Sequence, residues 1–285
     1  MGETAIPDEH RKGAIMSVKL ILTDIDDTIM PKGETAVSVR TIAAFRAAQA
    51  AGIHVGPASG RGREWIPPFF RGDQACCSTM LATNGLQVYL DGELIHEEHT
   101  PHDALERVRR IVEATPGAGL LVFDGGTPLL VAGTREDLSY PFPSYAKTCK
   151  DVDGVPDFPV VKSNVFLNGD DGETHALIDL LNEEVERLDF DFACTGFSNI
   201  MPRGYNKGSG VRALCEALRI TVDDVVVFGD AGNDLAMFSV VPDSVAVANA
   251  QQAAADAARW HIGQCKDDAV AAAIESLASG AWPFS

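Results

Sequence analysis

Apolar and polar residues alternate along this chain in blocks. Val18–Ile25 (VKLILTDI) is a short, nearly continuous apolar run ending in acidic residues, the pattern of a strand buried on both faces. Ala36–Ala51 follows as a helix, with Val37, Ala44, Phe45 and Ala48 on its apolar face and Gly52 as its stop. Ile53–Ala58 reads as a second strand and Thr79–Thr83 as a third. This alternation predicts a parallel sheet with helices on both faces. The grammar then changes. Leu86–Glu97 reads as two short strands about an Asp91–Gly92 turn. Residues 102–188 read as a helix, two or three strands, a proline-rich loop over 140–159, a further strand and a helix over Glu173–Leu188. Strand–helix alternation resumes near Asn199 with NIMPRG. It continues with a helix Lys207–Leu218, a strand Asp224–Gly229, a helix Asn233–Ser239, a strand Ser244–Ala248 and two alanine-rich helices.

The expected fold class is therefore α/β. A doubly wound parallel-sheet (Rossmann-like) core over 16–99 and 190–285 is interrupted by an inserted α+β domain over 100–189. Hinges are expected near Glu98–Pro101 and Leu188–Gly196, with a cleft between the domains, a preferred place for a ligand. The length of 285 residues agrees with about two domains. With 46% hydrophobic and 22% charged residues, the composition excludes disordered and collagen-like classes. No apolar run reaches the ~18–20 residues of a membrane span. Residues 1–15 are polar and are expected to be a mobile extension ahead of Met16, not a signal peptide.

The net charge of −18 gives no overall pull toward nucleic acid or anionic lipid. A small phosphate ligand remains possible, because screening confines surface fields to about 8 Å and local cations can hold an anion. Six cysteines without a CxxC pair fit reduced thiols in a cytoplasm, with Cys76 and Cys77 read as small buried residues.

In an open parallel sheet, ligands bind beyond the carboxyl ends of the strands. The polar residues expected at those ends are Asp24, Asp26, Asp27 and Thr28; Ser59, Gly60 and Arg61; and Asp230, Asn233 and Asp234. Asn206-Lys207-Gly208 opens the helix after the insert. Any one acidic strand end can be a simple helix cap, but four such segments on one edge point to chemistry. Two like charges 4 Å apart repel by about 4 kcal/mol at an effective dielectric near 20. A cluster of Asp24, Asp26, Asp230 and Asp234 therefore calls for a hard divalent cation, and Mg²⁺ typically takes one or two carboxylates, waters and a substrate phosphate. Lys207 and Arg61 would offset the phosphate charge and Ser59 would donate a hydroxyl, while the glycines beside them allow close backbone approach.

These segments resemble, in order, the four motifs of the haloacid dehalogenase superfamily: Asp24-x-Asp26-x-Thr28, Ser59-Gly60-Arg61, Lys207, and Gly229-Asp230-x-x-x-Asp234. Thr83-Asn84-Gly85 before a hairpin, Pro202-Arg203-Gly204-x-Asn206-Lys207-Gly208 and Gly229-Asp230-Ala231-Gly232-Asn233-Asp234-x-x-Met237 are similar to its Cof-type subgroup, which carries a large α/β cap. The resemblance implies a phosphatase acting on a small phosphorylated metabolite, with a sugar phosphate the default substrate. It implies that Asp24 is the nucleophile, forming an aspartyl-phosphate, and that Asp26 is the general acid and base. It implies Mg²⁺ on the Asp24 carboxylate, the Asp26 main-chain carbonyl and Asp230, with Asp234 as a further or outer ligand. Thr28 would position the Asp26 loop, and Asn84 and Asn233 would support the site.

Asp26 argues against a dehalogenase, since halide leaves without a proton. No motif singles out the insert lysine that phosphonatase chemistry would want. A phosphomutase and a non-catalytic member of the fold are the remaining alternatives. Lys147, Lys150, Lys162 and Asn164 are the insert residues that could reach a substrate, although exposed lysines are common. His96, His99 and His102 read as a solvated linker rather than a metal site, and Arg107, Arg109 and Arg110 as one charged helix face. The expected partners are a small metabolite and at most a few copies of the chain, with no nucleic acid or membrane.

Overall fold

The computed structural model describes residues 18–285. The expectation of a mobile extension over 1–15 lies outside the described residues. Along the chain the first elements are β1 (Leu20–Thr23), α1 (Val39–Ala50), β2 (His54–Pro57), β3 (Met80–Ala82), β4 (Gln87–Leu90) and β5 (Glu93–Glu97). The middle third holds α2 (His102–Glu113), β6 (Ala118–Asp124), β7 (Thr127–Ala132), α3 (Arg135–Leu138), α4 (Pro143–Thr148) and β8 (Lys150–Asp151). It closes with β9 (Ser163–Leu167), α5 (Asp171–Glu184), β10 (Leu188–Cys194) and β11 (Phe197–Pro202). The last part is α6 (Lys207–Leu218), β12 (Val225–Gly229), α7 (Leu235–Val240), β13 (Asp243–Val247), α8 (Gln252–Ala257), β14 (Trp260–Ile262) and α9 (Ala269–Ala278).

The core is a parallel five-stranded sheet in the order β14-β13-β12-β1-β2. Its central strands send alternate residues to opposite faces, as a strand must. Ile21, Val226 and Phe228 join Phe45 and Ile274 of α1 and α9 on one side. Leu20, Leu22, Val225 and Val227 join Val211, Leu214 and Phe238 of α6 and α7 on the other. Burial on both faces explains why these strands are continuous apolar runs.

Three elements differ from the sequence expectation. Thr79–Thr83 supplies β3, which pairs antiparallel with β4 in a separate three-stranded sheet β3-β4-β5, touching the core sheet through the Ala58–Leu81 bridge. Strand β14, too short to carry a period, extends the core sheet. NIMPRG is not a return to the core: Phe197–Pro202 is β11 of the insert's six-stranded sheet, ordered β10-β11-β9-β6-β7-β8. That sheet runs to Pro202, past the expected return at 190, because Phe190 and Ile200 bury against α2 and α5 with Leu105, Val108 and Leu181. An apolar strand declares its burial but not which sheet will take it. Among the described residues no helix is long and apolar enough to cross a membrane.

Candidate active site

The parallel register places the first chemical residues side by side. Thr23, the last residue of β1, lies opposite Pro57 on one side and Phe228 on the other. The chain then leaves each strand at the same edge. Asp24 follows β1, with its N–H donated to the Phe228 carbonyl at 3.0 Å, while Ser59 follows β2 and Asp230 follows β12. All three line one hollow of about 300 Å³ between the core and the insert.

Lys207 reaches the same point from α6. Asn206 caps that helix, its side chain accepting from the Ser209 N–H at 3.1 Å while the Ser209 hydroxyl accepts from the Asn206 N–H at 2.9 Å. The helix start seats on the Thr83–Gly85 turn, where Gly85 has φ +89° and a Cβ would lie 2.5 Å from the Asn206 carbonyl oxygen. Gly85→Ala is therefore expected to destabilise the fold by about 2–4 kcal/mol, read as a lower urea midpoint with an unchanged m-value. An unchanged midpoint would contradict this seating.

The Lys207 ammonium is fully buried and donates to Asp24 Oδ1 and Asp234 Oδ1, both at 2.6 Å. The other oxygen of Asp234 accepts from the Asp230 and Ala231 N–H groups at 2.8 and 3.1 Å. Gly229 makes room for this, since a Cβ there would meet that oxygen at 2.4 Å. Thr28 donates its hydroxyl to Asp230 Oδ1 at 2.7 Å, so this side chain orients Asp230, whereas the resemblance implied a role at the Asp26 loop.

Asp24, Asp230 and Asp234 offer oxygens within 4.8 Å of one another, the group able to hold a metal ion among the described residues. Three carboxylates face one ammonium, and the titration of the site follows. Burial, reinforced by the neighbouring carboxylates, raises the Asp24 pKa well above the usual range although Lys207 opposes it. Asp230 is pushed up to about 7, chiefly by burial, with the Thr28 hydrogen bond opposing. Burial works against the Lys207 charge, but Asp234 and Asp24 more than offset it and raise its pKa. Because both Asp234 oxygens are engaged within the protein, Asp24 and Asp230 are the carboxylates placed to hold a hard cation and Asp234 braces them.

Asp26 lies apart from this cluster. Its half-exposed carboxylate is gripped by Arg61 through two hydrogen bonds of 2.8 and 2.9 Å, and the Arg61 guanidinium lies over the Phe69 ring at 4.5 Å. The sequence assigned Arg61 to a phosphate; in this structure its partner is Asp26. Ser59 and Gly60 line the hollow beside it. Asn84, at φ +53°, donates its N–H to the Ser59 carbonyl at 2.9 Å and accepts from Asn233 Nδ2 at 3.3 Å. It therefore braces the loop after β2 against the loop after β12.

The insert candidates separate. Lys162 lines the hollow, buried, with Nζ donating to the Gly60 carbonyl at 3.0 Å and lying over the Phe123 ring. Burial lowers its pKa to about 8. Asn164 is buried in β9 behind the hollow, its amide donating to Ser198 O and Asn199 Oδ1. Lys147 and Lys150 are exposed and outside the hollow's lining. His96 stacks on Tyr205, His99 pairs with Glu97 and His102 meets the Val155 carbonyl, so the three do not converge. Arg107 and Arg109 pair with glutamates around α2.

Sequence reasoning missed the aromatic side of the hollow, formed by Phe142, Tyr145, Phe192 and Phe197. The register shift between Phe192 and Cys194 breaks the strand period that could have placed Phe192. It also missed Asp191 and Asn199, which continue the row from Asn164 across β11 and β10. Three polar residues in apolar strands were the available signal.

Comparison with known proteins agrees with this geometry. The chain is 24% identical over 270 residues to the 5-amino-6-(5-phospho-D-ribitylamino)uracil phosphatase YbjI of Escherichia coli K12, covering 94% of this chain and 99% of that protein. It is 28% identical over 200 residues to the HMP-PP phosphatase of Escherichia coli 55989, covering 67% and 71%. The solved structure of the HAD subclass IIB sugar phosphatase BT4131 superposes with a TM-score of 0.75 at 18% identity, over 90% of this chain and 98% of that one. The model of the haloacid dehalogenase-like hydrolases matches residues 21–274, nearly the whole described chain, and this protein belongs to that family.

Proposed function

We propose that the chain hydrolyses a small phosphate monoester through an aspartyl-phosphate on Asp24, with Mg²⁺ held by Asp24, the Asp26 main-chain carbonyl and Asp230. The observation that carries this reading is the placement of Asp24. It sits at the floor of the hollow with one oxygen held by Lys207, which fixes the carboxylate and tempers its charge as an anionic phosphate approaches. The names of both curated relatives, each for a phosphorylated small molecule, support the substrate class.

The chemistry has two halves. The free Asp24 oxygen attacks phosphorus, the bond from phosphorus to the leaving oxygen breaks, and a protonated Asp26 delivers its proton to that oxygen. Water then attacks the same phosphorus, Asp26 takes the water proton, and the acyl-phosphate bond breaks to return Asp24 as a carboxylate. Asp26 can do this only after leaving Arg61, which in this structure holds both its oxygens. Ser59 and the Gly60 loop bind the phosphate oxygens. When bound, the metal screens the nucleophile from the phosphate and stabilises charge at the transition state. A sugar phosphate, the default from the resemblance, is one member of the substrate class.

A panel of phosphomonoesters assayed with Mg²⁺, and again after chelation, tests the proposal. Phosphate release is expected with Mg²⁺, lost on chelation and restored on readdition; release unaffected by chelation would contradict the metal's role. The pH dependence of metal binding gives a second test. Asp230 has a folded pKa above its unfolded value, so its protonated form stabilises the metal-free protein fully below about pH 4 and that contribution is lost as pH rises through 7. Mg²⁺ must displace this proton at low pH. Protons on Asp230 and on Asp24 beside it compete with the metal, so binding is weaker at pH 5.5 than at pH 8. The gain in Tm on adding Mg²⁺ should therefore be larger at pH 8; equal gains would contradict the assignment of Asp230.

A further inference from the structure

The loop Ser59–Arg61, which binds the phosphate oxygens in the proposed reaction, has each of its three carbonyls taken by a different donor. Ser59 O accepts from the Asn84 N–H and Arg61 O from the Thr83 N–H, both at 2.9 Å. Those two donors belong to the core. The carbonyl between them, Gly60 O, accepts at 3.0 Å from Lys162 Nζ, which belongs to the insert.

A peptide plane carries its carbonyl and the following N–H in opposite directions, so holding one fixes the other. Asn84 therefore sets the Gly60 N–H, and Thr83 sets the Gly62 N–H. Lys162 sets the Arg61 N–H, which donates to Ser59 Oγ at 3.2 Å. A serine hydroxyl has one proton to give and two lone pairs to receive. With a lone pair engaged by Arg61, the Ser59 proton is left for an anion.

The insert delivers this ammonium from a fixed place. Lys162 precedes β9, its own carbonyl accepts from the Phe123 N–H at 3.0 Å, and its Nζ lies 5.3 Å over the Phe123 ring. That ring packs edge-on against Trp65 of the core at 5.5 Å, and Tyr145 packs against Trp65 at 5.7 Å. Trp65 sits in the short turn Arg63–Trp65, just beyond the loop. Lys162 is buried, so without the ammonium the Gly60 carbonyl would lose a charged donor that water does not readily replace.

We infer that Lys162 is a positioning residue for the phosphate loop: by holding the Gly60 carbonyl from the insert, it sets the Arg61 N–H on Ser59 Oγ and so aims the Ser59 hydroxyl proton at a phosphate oxygen. The loop is then complete only while the insert is docked on Trp65. This rests on the phosphatase reading above, and it gives Lys162 a task on the loop in place of the substrate contact expected from the sequence. Trp65, outside the lining of the hollow, acts through the same docking.

Inorganic phosphate is the probe, because it has no leaving group to meet the insert. Its inhibition constant is measured against turnover of p-nitrophenyl phosphate by the full chain with Mg²⁺. In Lys162→Met, which keeps the stem and drops the ammonium, the constant is expected to rise about tenfold, the scale of one hydrogen bond from a charged donor. The kcat/KM values for acetyl phosphate and p-nitrophenyl phosphate are expected to fall by a common factor. Trp65→Leu is expected to raise the constant about threefold or more, and the double variant by less than the product of the two. Lys162→Gln and Trp65→Leu carry the same readout should Lys162→Met fail to fold. An unchanged constant in folded Lys162→Met, even with a lower kcat, would overturn the inference and leave the phosphatase reading standing. A loss confined to p-nitrophenyl phosphate would do the same, since it would put Lys162 on the leaving group. A constant raised in Lys162→Met but unchanged in Trp65→Leu would put the ammonium on the anion itself and overturn the inference too. No phosphate release from any ester by the parent enzyme would overturn the phosphatase reading, and this inference with it.

Discussion

Asp24→Asn is expected to reduce phosphate release by at least about 10⁴-fold while leaving the fold intact. The amide has the shape of the carboxylate but cannot donate an electron pair to phosphorus at a useful rate. Stability should not suffer with activity. Burial and the neighbouring carboxylates already push Asp24 toward its neutral form, and Lys207 keeps Asp234 as its partner in the variant. Removing one negative charge from a crowded buried group relieves repulsion, so the metal-free variant should unfold at the same urea concentration as the parent or a higher one at pH 8. Single-turnover kinetics and urea titration together check this. A variant that is inactive because it is unfolded would not support the nucleophile assignment, and a folded variant that keeps its activity would refute it.

Lys207→Met should produce the opposite pairing of effects, with activity and stability falling together. The ammonium is the buried cation between Asp24 and Asp234, and its removal leaves three converging carboxylates without it. Breaking a buried pair by removing one partner costs about 3–5 kcal/mol, because the other charge is left in the protein interior. The sign of the pH dependence follows from the raised carboxylate pKa values. As pH falls through the folded pKa of Asp230, near 7, the folded state takes up protons that relieve the repulsion. The loss of stability in Lys207→Met should therefore be larger at pH 8 than at pH 5.5. A variant as stable as the parent at pH 8 would show that the pair is not what holds the two loops together.

Much of the core of this site was legible in the sequence, and the reason is geometric. A parallel strand buried on both faces is a continuous apolar run, so its end is visible as the first polar residue. Adjacent strands of a parallel sheet end at a common edge, so Asp24, Ser59 and Asp230 could be placed together from the positions of three runs alone. Lys207 was visible because it opens a helix behind a capping asparagine.

What the sequence left out is direction. Nothing in the run Ser59-Gly60-Arg61 says that the guanidinium turns to Asp26, nor in Asp24-x-Asp26-x-Thr28 that the threonine hydroxyl turns to Asp230. The exchange of strands between sheets was hidden for a related reason. Met80–Ala82 and Trp260–Ile262 are three residues each, too short for a period, and the apolar pattern of Phe197–Pro202 suits either domain. The aromatic wall was the least visible feature. Its rings come from α4, the residue before it, and both sides of the β10–β11 turn, and only the folded insert brings them together.

In the proposed reaction the phosphoryl group is transferred to the side chain of Asp24. Acid-quenched single turnovers followed by peptide mass analysis test it most directly. The peptide containing Asp24 is expected to gain one phosphoryl group transiently, and the gain is expected to disappear in Asp24→Asn. Phosphate released at full rate from a peptide that never carries the group, or a phosphoryl group found on another residue, would contradict it.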